Sequence, residues 1–521
     1  MASLTFLLEW FDLGKQQATL FQHPYALSLL SIFSILILLR LIKRACSINP
    51  YLPPSPPKLP FIGNLHQLGK VVHRSLRDLS NQYGPLMLVR LGRAPVLIVS
   101  SADMAREIMK THDVAFANRP FTTAAKIIFY GCTTITFSPY GEYWRHARKV
   151  SVTELLSIKR VEAFKFVRED EVGRMIKKIS QSSLVGAPIN LSNMLLSLSN
   201  NVLYRCVLGI RCRDGDVGEN KFGELSSEVL KLMGAFSFRD IFPLLGWMDF
   251  FTGLDRRIKR VSREIDMLLD KIIVEHLINI KGNDSDDKKD FLDLLLGVQK
   301  NNILDIEFTQ DNIKAIILDM FLGGTSTTST TIEWAIAELL KNPNMMKKAQ
   351  EEVRRVAGKK PEVDEEDIHQ MSYLKAVVKE TLRLHPPVPL LLPRESSTST
   401  TIKGYYIPSK TTVFINAWAI QRDSEVWKNP EEFIPERFTN TLIDSKGLDY
   451  DYMPFGLGRR GCPGMSFGIA LVEIVIAKLL YWFNWELPGG VRKEELDLIE
   501  ASGFNHNKIT SLHLVPIPYS S

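Results

Sequence analysis

A mainly α-helical fold with a small β-rich part is what this sequence predicts, on three observations. Most segments beyond residue 100 repeat their apolar residues at helical spacing. Few runs look like strands, and the clearest are Leu86–Leu91 and Val96–Val99. One stretch, from Thr309 to about Leu340, keeps helical character over a length that crosses a whole core.

Composition narrows the field. A chain of 521 residues with 45% hydrophobic content buries a large core. Its net charge of +6 is spread without a basic run, which argues against a nucleic-acid partner. The five cysteines (Cys46, Cys132, Cys206, Cys212 and Cys462) form no C-x-x-C pair and no zinc spacing. An odd number without a framework suits a reducing compartment.

Near the amino end, no residue between Lys15 and Arg40 carries a formal charge, and Pro24 to Leu39 is strongly apolar. That length spans a bilayer core of roughly 30 Å as a helix. A cleaved signal peptide would have a basic front; here Glu9, Asp12 and Lys15 stand in front, and Arg40, Lys43 and Arg44 behind. A retained anchor over 16–42 is therefore expected, with residues 1–15 lumenal and the carboxy-terminal bulk cytosolic. Residues 43–64 form a basic and proline-rich hinge, stiffened by the prolines from Pro53 to Pro60.

The two strands are joined near Gly92-Arg93, and Ser100 or Ser101 caps a helix reaching about Lys110. Phe121 to Ile135 is a mixed, partly apolar loop interrupted by Gly131. Trp144 and Arg148 lie four apart, on one helix face, and both can donate hydrogen bonds to an anion; an ordinary amphipathic surface helix carries the same spacing. Gly282 to Asp290 reads as a charged, solvated connection.

Thr309 or Asp311 caps the long helix, and Lys341-Asn342-Pro343 ends it. Gly323, Gly324, Thr325, Ser326, Thr327 and Thr328 weaken its middle, since each interior glycine costs about 1 kcal/mol against alanine. Such a flaw is either a packing notch or a place where something approaches the backbone. Glu380 and Arg383 are helix neighbours, a spacing any helix can carry. The prolines from His385 to Arg394 fix an extended path along which Leu390 to Leu392 can line an apolar pocket. His385 reads as a structural histidine.

Everything else serves Phe455-Gly456-Leu457-Gly458-Arg459-Arg460-Gly461-Cys462-Pro463-Gly464. Glycines let a backbone approach a flat group closely, and one thiolate can hold a haem iron. Arg460, two residues before Cys462, can grip an anionic carboxylate. Gly456, Gly458 and Gly461 also fit G-x-G-x-x-G, but the preceding Asp449-Tyr450-Asp451-Tyr452-Met453-Pro454 is no buried strand and Pro463 follows, so the dinucleotide reading lacks its context. A buried structural cysteine is the plainer alternative for Cys462 taken alone. The helix expected from Met465 to Phe483 points its amino end at the sulfur, which favours a thiolate.

Phe455, Gly458, Arg460, Cys462 and Gly464 together resemble the haem-binding signature of the cytochrome P-450 family of haem-thiolate monooxygenases. Trp144 and Arg148 resemble its W-x-x-x-R motif. Residues 323–328 resemble [AG]-G-x-[DE]-T-[ST], Glu380 with Arg383 resembles E-x-x-R, and Phe433 to Phe438 resembles its P-E-R-F element. The closest look is to plant microsomal A-type members of specialised metabolism.

The resemblance implies the P-450 fold over 65–521, with haem b between the long central helix and the cysteine loop. Cys462 would be the axial ligand, and Trp144, Arg148, Arg394, Phe455 and Arg460 would contact the cofactor. Glu380, Arg383 and Arg437 would form a buried charge network, residues 121–135 would roof the pocket, and residues 388–392 and 501–504 would face substrate. Thr327 matches the threonine used in oxygen activation. Ser326 stands where the family usually has a carboxylate, so protons would come more slowly, or through Thr325, Thr328 or substrate groups.

The implied partners are a small apolar substrate (terpenoid, alkaloid or phenolic), an NADPH-dependent reductase or a cytochrome b-type donor, and the endoplasmic reticulum membrane. The expected activity is hydroxylation or oxidative cyclisation with dioxygen. Desaturation, coupling or rearrangement without net oxygen insertion is the alternative that Ser326 supports, and a non-catalytic haem-binding sensor is a third.

Overall fold

In the computed structural model the described residues are 28–29, 31–36, 51–209, 217–279, 289–301, 307–439, 450–490, 492, 495–501, 503 and 508–519. Residues 1–15, expected to be lumenal, most of the expected anchor 16–42, the basic start of the hinge, Cys46, Cys212, residues 282–288 of the charged connection, and Ser502 and Phe504 lie outside them. Residues 28–29 and 31–36 are helical, with Leu29, Ile32, Phe33, Ile35 and Leu36 exposed.

The architecture is mostly helical with small sheets, as the periodicity predicts. Among the described residues, nine short strands are β1 (Leu86–Leu91), β2 (Ala94–Val99), β3 (Ile189–Asn190), β4 (Arg394–Glu395), β5 (Thr400–Ile402), β6 (Tyr405–Ile407), β7 (Thr412–Ile415), β8 (Phe483–Glu486) and β9 (His513–Pro518). β1 and β2 form the expected hairpin around Gly92, and β2 runs parallel to β7, with β4 at the far edge. Ser101 caps the helix that follows, accepting from the Met104 amide at 3.4 Å.

Seven helices frame the interior: α1 (Glu142–Val150), α2 (Leu191–Leu208), α3 (Val217–Met233), α4 (Gln310–Gly324), α5 (Ser326–Lys341), α6 (Ser372–Leu384) and α7 (Met465–Trp482). Their facing residues, among them Leu203, Ile332, Ile336, Leu382, Ile474 and Leu479, belong to one large apolar cluster. Each such side chain taken from water contributes roughly 1.5–3 kcal/mol. α7 is long and apolar enough to cross a membrane, yet most of it is buried, so it is a core helix.

The long helix expected from Thr309 to Leu340 is in fact two. Thr309 caps α4 with a reciprocal box to Asn312, and Thr325 interrupts the helical run before α5 resumes. The interruption falls where the sequence is weakest. Gly324 lies against α2 so closely that a Cβ there would meet Leu203 at 2.9 Å. Asn342 caps the end, and Pro343 starts the next helix, where its missing N–H is harmless.

Candidate active site

Cys462 is held by a tight loop. The Gly456 amide donates to the Met453 carbonyl at 3.0 Å, the Gly461 amide to Gly458 at 3.0 Å and the Cys462 amide to Phe455 at 2.9 Å. Gly456 and Gly458 adopt φ of +64° and +70°, and a Cβ on Gly458 would sit 2.4 Å from the Met109 carbonyl oxygen. Cys462 is exposed and lines a cavity that Phe455, Pro463 and Gly464 also line. Desolvation pushes its thiol pKa up; the Gly464 amide and the Arg148 charge pull the other way. The amino end of α7 thus acts in the expected direction but does not prevail. A cation at the sulfur would remove the proton outright.

Arginines ring the same cavity: Arg119, Arg148, Arg394 and Arg460. Arg148, on α1, donates to the Gly461 carbonyl at 2.6 Å, directly beside Cys462. Arg460 donates to the carbonyls of Ala117 at 2.7 Å, Ile135 at 3.0 Å and Ser138 at 2.5 Å. Arg394 reaches Asp113 at 3.1 Å and the Leu457 carbonyl at 2.7 Å. Burial lowers the pKa of each, and for Arg460 (to about 9) and Arg119 the neighbouring guanidiniums lower it further. Trp144 lies on the cavity too, but its indole N–H donates to the Ile135 carbonyl at 3.0 Å rather than standing ready for an anion.

Sequence reasoning missed Arg119, although it lines the cavity and grips the carbonyls of Thr136, Leu392 and Pro393 at 3.0, 2.8 and 2.7 Å. It also missed Asp319, the single acid on the cavity wall among the described residues. Asp319 accepts from the amides of Ile135 at 2.5 Å and Thr136 at 3.2 Å, tying the roof loop to α4. Burial raises its pKa to about 7 against those hydrogen bonds.

The helix interruption forms another part of the wall of the cavity that the cysteine loop lines. Gly323, Gly324, Thr327, Thr328 and Thr331 line it, and the Thr327 hydroxyl donates to the Gly323 carbonyl at 2.5 Å. Ser326, at the start of α5, is not on that wall. Phe129, Met320, Val388, Leu391 and Leu392 make much of the rest apolar. Leu390, expected to join them, instead packs against the β1–β2 cluster, because Leu391 takes φ +49° and turns the chain.

Below lies a buried frame. Arg383 contacts Glu380 at 2.7 and 2.9 Å, and Arg437 reaches the same carboxylate at 3.2 Å, forming the expected network. His385 is structural, bonded to Glu338 at 2.7 Å and stacked on Trp334 at 3.9 Å.

A thiol sharing one cavity with a glycine-threonine helix break and several arginines is the layout of a haem-thiolate oxygenase. The chain belongs to the cytochrome P450 family, whose model matches residues 53–509. Among its relatives is cytochrome P450 71A1 of Persea americana, 55% identical over 87% of this chain and 91% of that one. Desmethylyatein synthase of Sinopodophyllum hexandrum is 53% identical over 92% and 96%. Strychnine-11-hydroxylase of Strychnos nux-vomica is 47% identical over 89% and 91%. A zebra fish cytochrome P450 solved with abiraterone superposes with a TM-score of 0.73 at 25% identity, covering 86% of this chain and 99% of its own. The chain is accordingly a monooxygenase of the plant A-type group.

The residues present fit the family's haem. The donor set is one soft thiol with several buried guanidiniums, and among the described residues Asp319 is the only carboxylate on the wall. That excess of positive charge suits a flat group carrying two carboxylates and an iron.

Proposed function

We propose that this protein oxidises a neutral, apolar plant specialised metabolite with dioxygen and NADPH-derived electrons, and that Cys462 would hold the iron of its haem b. The observation that carries this reading is that Cys462 lines one cavity together with Gly323, Gly324 and Thr327. When bound, the haem supplies dioxygen chemistry, one oxygen atom entering substrate and the other leaving as water.

The chain's own residues do the rest. Arg148 and Arg394 would hold the cofactor's carboxylates, Phe455 and the glycines of the loop would lie against it, and Trp144 and Arg460 brace the roof and loop. The Phe129, Met320, Val388 and Leu391 surfaces exclude water and orient the substrate. The Thr327 hydroxyl holds a proton at Oγ1 beside the Gly323 carbonyl, where a hydroxyl can pass it on. Electrons come from an NADPH-dependent reductase or a cytochrome b-type donor. An anchor over 16–42 places the enzyme on the endoplasmic reticulum with its bulk in the cytosol.

The test is turnover in membranes with reductase, NADPH and isotopically labelled dioxygen on a panel of lignans, alkaloids, terpenoids and other phenolics. Label in product, lost in Cys462→Ser, supports the reading. Product without label but with NADPH consumed gives desaturation or coupling. Conversion without NADPH gives rearrangement, a second reading favoured by Ser326 at the acid's position.

A further inference from the structure

Asp113 sits between two hollows of the protein. One is the cavity of Cys462, lined by Arg394; the other is a polar groove on the outer face of the cysteine loop, lined by Lys110, Asp113, Tyr450 and Arg459. Its side chain is 12% exposed, against 5% for Arg394 and 51% for Arg459. Asp113 Oδ1 accepts from Arg394 Nη1 at 3.1 Å. Its Oδ2 accepts from the Arg459 amide at 3.2 Å and meets that residue's Nε at 3.1 Å. The glycine at 458 makes the approach possible, since a Cβ there would lie 2.8 Å from Asp113 Oδ1.

A guanidinium buried without a counter-charge is costly, and one that turns to find a backbone carbonyl instead is aimed wrongly. Asp113 supplies the charge, and the Leu457 carbonyl fixes the second nitrogen of Arg394 at 2.7 Å. Because the same carboxylate also serves Arg459, its hold on Arg394 depends on what happens at the surface.

Resting on the haem reading above, we propose that Asp113 is a positioning residue: it aims Arg394 at the haem carboxylates. Through Arg459 it also passes a change of charge on the outer face of the cysteine loop to the edge of the cofactor.

The full-length haem protein tests this by haem transfer to apomyoglobin and by the propionate bending band in resonance Raman spectra. Asp113→Asn should release haem at least about tenfold faster, the scale on which supporting contacts act at metal sites. Asp113→Glu should restore most of the loss, and Asp113→Asn/Arg394→Lys should release haem no faster than Arg394→Lys alone. Arg459→Gln, at a half-exposed site, leaves Asp113 to a single arginine and should move the Raman band opposite to Asp113→Asn. Wild-type release from Asp113→Asn, multiplying effects in the double variant, or an unmoved band in Arg459→Gln overturns the relay. A wild-type protein that takes up no haem overturns both readings, whereas a haem-loaded wild type with an indifferent Asp113→Asn overturns this one alone.

Discussion

Glu380 and Arg383, one helical turn apart on α6, meet through two parallel hydrogen bonds with neither side chain reached by solvent. Arg383 spends its remaining donors on the carbonyls of Gln421, Pro430 and Glu432. A helix thereby clamps the segment that leads into the cysteine loop. Replacing Glu380 with Ala strands two arginines, Arg383 in the interior and Arg437 at its edge, and should destabilise the fold by about 3–5 kcal/mol. Denaturation midpoints and retained haem would read this, and a variant as stable as wild type would refute it.

Ser326 opens α5, where the helix's amino end favours a negative charge. Ser326→Asp should be tolerated and should raise the fraction of NADPH electrons that reach product. A general acid contributes on the order of 10²–10⁴-fold, and with hydroxyls already relaying protons a gain of about tenfold is expected. Thr327→Val should lower the same fraction. Product per NADPH, with the solvent isotope effect, distinguishes proton supply from altered binding.

Asp319 gives stability a pH slope. Its folded pKa of about 7 lies above its ordinary value of 3.8, so folding retains a proton that the unfolded chain releases. Stability is therefore fully present below about pH 4, falls as pH rises towards 7, and is level above that. From pH 5 to 7 the loss is on the order of 2 kcal/mol. Asp319→Asn should flatten that slope in melts taken across the range; an unchanged slope would place the titration elsewhere.

Gly456 and Gly458 share a left-handed backbone but not their surroundings. A Cβ at Gly456 meets only Leu391, at an ordinary 3.6 Å, whereas at Gly458 it would drive into the Met109 carbonyl. Gly456→Ala should cost only backbone strain, about 1–3 kcal/mol. Gly458→Ala should cost more and should loosen haem as well, read by melting and haem release. Equal effects would contradict the crowding.

Local spacing carried much of this site in the sequence. Cys462 with its glycines, Trp144 with Arg148, and Glu380 with Arg383 are each neighbours along the chain, so their patterns survive without coordinates. Arg119, Asp113 and Asp319 were illegible because their partners lie far away in sequence: Arg119 grips Leu392, Asp113 grips Arg394, and Asp319 grips Ile135. The helix break was half legible. Two glycines and a hydroxyl run marked a weakness, but only the contact with Leu203 shows how closely α2 approaches there. Leu390 went astray because the positive φ of Leu391 is a tertiary choice that no propensity announces.

The β2–β7 pairing joins Val96 to Thr412, more than 300 residues apart. At roughly 5–20 residues per second, a ribosome takes on the order of 15–60 s to make what lies between. For that interval the β1–β2 hairpin offers an open strand edge to whatever is nearby. The nascent enzyme therefore has a vulnerable childhood, and its first sheet is completed only when the last quarter of the chain emerges.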